Sequence, residues 1–361
     1  MTEIKNPRIA LIGCGAIAEA LYLPAFVKSP ELLAGLVLVD TNETRLHQLA
    51  QKFNVKQCQT DYRQCEVDGA IVAVPHHLHH RISMDFLARN RHVLCEKPLA
   101  EHSWEAREMV AQAQASGVTL SVNLTRRLLP TYRKVKQMIT HGELGALKRF
   151  DYLDGEYFQW PTVSGFYFKK ASPAGVLLDR GTHSVDLICW LLGAKPEVIS
   201  AQNDSFGGFE GCAVLRLQHG DCQIHLKTTW LQRMDNYFRI SGEKGTVEGA
   251  LSKWSSIQFT DPNGHTRKIK LNEESPEYNA FGFKLVRNFA DVIRGMAQPL
   301  IPAQEVLPSV ELIEECYARS THLPMPWYDA ITKPSNETSA VTQPVTNPQS
   351  PQQVKEGNLV Q

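Results

Sequence analysis

The run RIALIGCGAIA, residues 8–18, constrains the fold more than any other stretch of this chain. An apolar segment of strand type ends at once in Gly13-Cys14-Gly15-Ala16-Ile17-Ala18, a G-x-G-x-x-A turn that should open a helix. In such a turn the first glycine permits the tight bend. The second lets backbone approach a pyrophosphate, and the small third residue lets helix and strand pack closely. The helix start then aims unpaired N–H groups at the phosphates. A strand–helix turn with no ligand can carry the same pattern, so the motif needs support. The run LAGLVLVD (33–40) supplies it by ending in Asp40, where a ribose-binding acid belongs. Its carboxylate would accept from ribose hydroxyls and repel a 2′-phosphate. Gly13, Gly15, Ala16, Ile17, Ala18 and Asp40 are therefore candidate cofactor residues. NAD is expected, with NADP possible.

Further apolar runs follow at 69–75, 92–98 and 118–123, separated by helix-like segments at 43–53, 79–90 and 101–115. Strands alternating with helices predict βαβ units and a doubly wound parallel sheet. After about residue 125 the texture changes. A helix is expected over 130–141 and a strand within 147–158. A long helix is expected over 172–193, with Ser172 as N-cap, Pro173 at its first position and Gly193 at its end. In CQIHLKTTW (222–230) apolar and polar residues alternate, which suits an antiparallel sheet with unlike faces. SGEKGTVEG (241–249) reads as a turn-rich connection, and helices return at 279–295 and 303–320. The expected organisation is α/β: a Rossmann domain at 1–125, then an α+β domain at 126–330 with a large, open, mostly antiparallel sheet. The segment 331–361 is rich in Pro, Ser, Thr, Asn and Gln, and reads as a disordered tail.

Charge narrows the partners. Lys+Arg and Asp+Glu both number 38, so no basic excess suggests nucleic acid. No apolar run reaches the roughly 18 residues of a membrane helix, and the first residues lack a signal-peptide pattern. The eight cysteines are scattered without a Cys-x-x-Cys pair, which suits reduced residues in a cytoplasmic protein.

Three further features carry chemistry. Glu96-Lys97-Pro98 closes an apolar run, at the sheet end where such folds bind ligands. A salt-bridged rim lysine would look the same. Asp179 and His183 are spaced i, i+4, within reach on one helical face, as an acid and the imidazole it orients. A helix-surface pair has that spacing too, but the surrounding residues are apolar over most of the circumference. IVAVPHHLHHR (71–81) holds four of the 13 histidines. A metal would need three or four converging ligands, and Pro75 instead marks a strand end and a turn bordering the cofactor cleft. No metal is expected. Pro75 and His79 are candidate cofactor-side residues, while His76, His77 and His80 read as ordinary loop and surface imidazoles.

Taken together, GCGAIA (13–18), PHHLHHRISMDFLARNRHVLCEKPLA (75–100) and AGVLLDRGTHSVDLICWLLG (174–193) resemble the Gfo/Idh/MocA oxidoreductases, over about residues 8–326. The resemblance implies NAD(P)-dependent hydride transfer at a secondary hydroxyl of a sugar, cyclic polyol or sugar nucleotide. Lys97 would be the active-site lysine, and Asp179 and His183 the acid–base pair. Glu96, His79 and Lys97 itself would lie on the cofactor side. The second domain's sheet would make a homodimer or homotetramer. Tyr22 and Asn123 depart from the common pattern and could reshape the pocket near the nicotinamide. Candidate substrate groups are Asn123, Arg126, Arg127, Tyr157, Trp160, Tyr167 and Arg180. A glycoside-cleaving relative that recycles NAD, or a non-catalytic Rossmann sensor, would share the cofactor motif.

Overall fold

In the computed structural model, residues 6–162, 165, 175–271 and 278–324 are described, with backbone alone at 278 and 279. Six short strands form the first sheet: β1 (Ile9–Ile12), β2 (Leu36–Val39), β3 (Gln57–Gln59), β4 (Gly69–Val72), β5 (His92–Cys95) and β6 (Leu120–Val122). Their order is β3-β2-β1-β4-β5-β6 and every pair is parallel. Successive side chains go to opposite faces. Ala10 and Ile12 enter one apolar cluster, Ile9 and Leu11 another, and all four are buried. Burial on both faces explains why β1, β2 and β4 read as continuous apolar runs rather than alternating ones.

The helices form close to where periodicity puts them, at Glu43–Phe53, His79–Ala88 and Ser103–Ala115. Asn42 caps the first by accepting from the Arg45 N–H, and Asn54 ends it in the left-handed conformation. The strand order reverses between β1 and β4. Ligand clefts of open parallel sheets lie beyond the carboxyl ends at such a point.

The second sheet has nine strands: β7 (Leu147–Gly155), β8 (Glu197–Asn203), β9 (Cys212–His219), β10 (Cys222–Thr229), β11 (Tyr237–Gly242), β12 (Gly245–Ala250), β13 (Ser256–Thr260), β14 (Thr266–Lys270) and β15 (Ser320–His322). The order is β14-β13-β12-β11-β7-β10-β9-β8-β15, antiparallel except at β7–β10 and β8–β15. In β10, Cys222, Ile224 and Leu226 are buried while Gln223 is exposed, as the alternation predicts.

Two elements differ from the expectations, and a third forms as expected but packs where the sequence does not say. The stretch 241–249 is a hairpin, with β11 and β12 paired across Glu243 and Lys244. Its glycines and charges mark the tight turn but hide the strands on either side. β3 is short and polar, so no apolar run announces it. The helix Tyr278–Ile293 sends Val286, Phe289, Ala290 and Ile293 into one cluster with Ile9, Leu11 and Ile71 of the first sheet. Periodicity fixes that this helix has an apolar face, not which sheet the face covers. Ser172, Pro173 and the tail 331–361 lie outside the described residues.

Candidate active site

Gly13 follows β1 with φ +105°, and its N–H donates to the Val39 carbonyl at 2.8 Å. A Cβ here would stand 2.2 Å from the Ala73 carbonyl oxygen. Only glycine fits. At Gly15 a Cβ would meet nothing within 4 Å, because this position opens onto a cleft of about 850 Å³. Asp40 ties the turn to the end of β2. One carboxylate oxygen accepts from the Cys14 N–H and the other from the Asn42 N–H, each at 2.7 Å. Gly13, Gly15, Ala16, Ile17 and Asp40 line the cleft; Ala18 is buried behind it, where its small side chain lets helix and strand close up.

The end of β5 supplies the next wall. Glu96 is buried and accepts from the Tyr22 hydroxyl at 2.7 Å and the Asn123 amide at 2.5 Å; its other oxygen accepts from the Lys97 N–H. Burial pushes its carboxyl above the ordinary range, against the donors around it. Tyr22 is fully buried and acts through Glu96, whereas Asn123 reaches the cleft.

The histidine run resolves differently from the sequence reading. His79 is fully buried, and its ring nitrogens face two carbonyl oxygens, Pro98 at 2.7 Å and Val74 at 2.9 Å. It ties the turn after Lys97 to the turn after β4 from behind. Burial lowers its pKa to about 4, so the ring is neutral and donates to one carbonyl at a time. His76, read as an ordinary loop imidazole, is buried and lines the cleft beside Pro75. His80 pairs with Glu108 at 2.8 Å. Among the described residues, no cluster of three potential metal ligands forms.

Asp179 and His183 come from one long helix on the opposite wall. It opens with a π-helical turn, Leu177–Gly181, and continues as an α-helix, Thr182–Leu192, ended by Gly193 in the left-handed conformation. Glu210 holds its start. The Glu210 carbonyl accepts from the Val176 N–H and its carboxylate from the Leu177 N–H and the Tyr317 hydroxyl. Nothing in the sequence around Glu210 signals this role, since it lies in a glycine-rich turn far along the chain.

Lys97 donates from Nζ to the Asp179 carboxylate and, at 3.1 Å, to its carbonyl. The expected Asp179–His183 hydrogen bond is not formed; Asp179 spends its carboxylate on Lys97 instead. His183 lines the cleft with Nδ1 buried and without a partner among the described residues. Burial, and after it the cations Lys97, Arg126 and Arg180, hold its pKa well below the ordinary value. It is therefore neutral near pH 7, as a proton acceptor must be.

The proposed substrate groups divide. Asn123, Arg126, Tyr157, Trp160 and Arg180 line the same cleft as Lys97, Asp179 and His183. Arg127 does not. It is buried and bidentate to Asp186 at 2.7 and 2.8 Å, with Glu305 at 2.8 Å on its other side. Two adjacent arginines on a short turn point opposite ways, and sequence does not tell which faces the ligand. Tyr167 lies outside the described residues.

Comparison with known proteins fits this arrangement. Residues 7–124 match the model of an oxidoreductase family with an NAD-binding Rossmann fold, and residues 132–248 match the GFO/IDH/MocA C-terminal domain. The chain belongs to the GFO/IDH/MocA oxidoreductase family. A mouse trans-1,2-dihydrobenzene-1,2-diol dehydrogenase is 25% identical, over 85% of this chain and 95% of its own. The scyllo-inositol 2-dehydrogenase (NADP(+)) IolU of Bacillus subtilis is 26% identical, over 74% and 84%. Among solved structures, a 3-ketoreductase from Actinomadura kijaniata in complex with NADP and TDP-benzene superposes with a TM-score of 0.75, covering 88% of this chain and 99% of its own at 20% identity. A levoglucosan dehydrogenase in complex with NADH and levoglucosan also gives 0.75, covering 86% and 96% at 16% identity. As a GFO/IDH/MocA oxidoreductase the chain has an NAD(P)-binding domain, and the cleft fits that cofactor. The space over Gly15 admits a pyrophosphate, and Asp40 stands at the end of β2 where the ribose falls.

Proposed function

We propose that this protein is a dehydrogenase acting on a secondary hydroxyl of a sugar, cyclic polyol or related diol, with NAD preferred over NADP. The names of its relatives support that substrate range: dihydrodiols, inositol and levoglucosan. One observation carries the reading. Lys97, Asp179 and His183 line the same cleft as the Gly13–Gly15 turn and Asp40.

The backbone of 13–18 would hold the pyrophosphate, Asp40 the adenosine ribose, and Pro75, Glu96 and Asn123 the nicotinamide end. The bound nicotinamide supplies the hydride acceptor or donor. In the oxidation direction the substrate hydroxyl gives its proton to neutral His183 while the Lys97 ammonium stabilises the developing alkoxide. Asp179 fixes Lys97 in place and keeps its charge compensated. In reduction His183 returns the proton. Trp160, 38% exposed, offers an aromatic face to the C–H side of a ring. Residues 1–125 serve as the dinucleotide domain and 126–330 as the substrate domain, whose open sheet joins copies into a homodimer or homotetramer in the cytoplasm.

The test is to add NAD or NADP with a panel of polyols and sugars and follow absorbance at the reduced-nicotinamide band. Stoichiometric appearance of reduced cofactor supports the reading. Release of an aglycone with no net reduced cofactor would assign the chain to glycoside cleavage instead.

A further inference from the structure

Beside the proton-transfer residues lies a charge arrangement that a neutral polyol does not require. Asp154, at the end of β7, is 1% exposed and accepts from two arginines at once. Arg126 Nη2 donates to Oδ2 at 2.6 Å, while Arg180 donates to Oδ1 from Nε at 2.8 Å and also from Nη2. The two arginine side chains are 21% and 25% exposed and line the cleft; the carboxylate that compensates them is 1% exposed. The cluster therefore turns its positive side to the cleft.

The donor inventory points the same way. A guanidinium has five N–H donors. Arg126 places three, on Tyr152, Ser184 and Asp154. Arg180 places two, both on Asp154, and its Nη1 has no partner among the described residues. Lys97 is already matched by Asp179, with Glu96 beside it, so Arg126 and Arg180 share the single carboxylate of Asp154. Closing the cleft over a ligand removes the water that now offsets the surplus, and an uncompensated charge in such a site is costly. An oxidised nicotinamide alongside would add a further positive charge.

We propose that Arg126 and Arg180 form an anion subsite and that the preferred substrate is a hydroxy acid of the sugar class, carrying a carboxylate near the carbon that reacts. Asp179 and Arg180 are consecutive, so the acid group would sit about one residue's reach from the Lys97–Asp179 pair. Asp154 is then the positioning residue that holds both guanidiniums at the cleft for a carboxylate. This inference rests on the dehydrogenase reading for the word substrate, but its test is a binding measurement that stands apart from turnover.

The NADH-loaded protein is titrated calorimetrically with gluconate and glucuronate, and with their neutral parents glucitol and glucose. The acids should bind about tenfold or more tighter than the parents, as a charge-assisted hydrogen bond predicts. Raising salt to about 0.5 M should shrink that ratio. Arg180→Gln should bring the ratio to within about twofold, while Arg180→Lys, which keeps the charge, should retain a preference for the acid. Neutral parents binding as tightly as the acids, or no acid binding at all, overturns the proposal. A normal ratio in a protein that transfers no hydride would leave the subsite standing and count against the dehydrogenase reading.

Discussion

Lys97 at the end of β5 donates to both the carboxylate and the carbonyl of Asp179, so the first sheet and the long helix that packs with the second sheet meet at a single ion pair. Both residues line the cleft. Asp179 has no other cation bound among the described residues.

Replacing Lys97 should therefore affect chemistry more than cofactor capture. Lys97→Met is expected to lower kcat about 10²–10⁴-fold, the usual value of a group that handles charge in the transition state. The dinucleotide Kd, read by fluorescence titration, should change less than about threefold. Asp179→Asn should act in the same direction through a misplaced Lys97.

The two glycines of the turn should separate folding from binding. At Gly13 a methyl group collides with the Ala73 carbonyl and the backbone is left-handed. Gly13→Ala should cost about 1–3 kcal/mol or more and lower the melting temperature. Gly15 has open space at its Cβ. Gly15→Ala should melt within about 2 °C of the parent yet bind the dinucleotide about tenfold more weakly, since the methyl takes the room of a phosphate.

Arg127 should behave as a stability residue. Arg127→Met leaves Asp186 buried without its bidentate partner and should cost about 3–5 kcal/mol in denaturant unfolding. Kinetic constants of the folded fraction should stay within about threefold of the parent. A large loss of kcat at unchanged stability would show that Arg127 reaches the substrate after all.

Acid should weaken the fold through the buried histidines. The His79 pKa falls from 6.5 to about 4 on folding. The unfolded chain then binds more protons between those values, so stability is complete above pH 6.5 and declines as pH drops toward 4. The full effect of this one residue is roughly 3 kcal/mol. His183 and His76 shift the same way, each first by burial. His79→Gln should flatten the dependence of melting temperature on pH across that window; an unchanged slope would contradict the assignment.

Much of this was readable in the sequence, for definite reasons. GCGAIA, Asp40, EKP and the Asp179/His183 pair are local patterns whose geometry follows from the strand or helix that carries them, and all line the cleft except Ala18 and Pro98. What sequence could not show were tertiary partners. Asp179 pairs with Lys97 rather than with its helical neighbour. His76 lines the cleft, while His79 ties two of its turns together. Arg126 and Arg127 diverge by the bend of one short turn, and Glu210 caps a helix that begins more than thirty residues before it in the chain. The hairpin at 237–250 was missed because turn residues dominate its middle.

The measurement that tests the central claim most directly is the rate of nicotinamide reduction by His183→Gln and Lys97→Met, beside the parent, with the best substrate from a polyol, sugar and sugar-acid panel. With cofactor binding intact in all three, the account predicts that both variants lose about 10²–10⁴ in kcat. Rates in both variants equal to the parent's would contradict it.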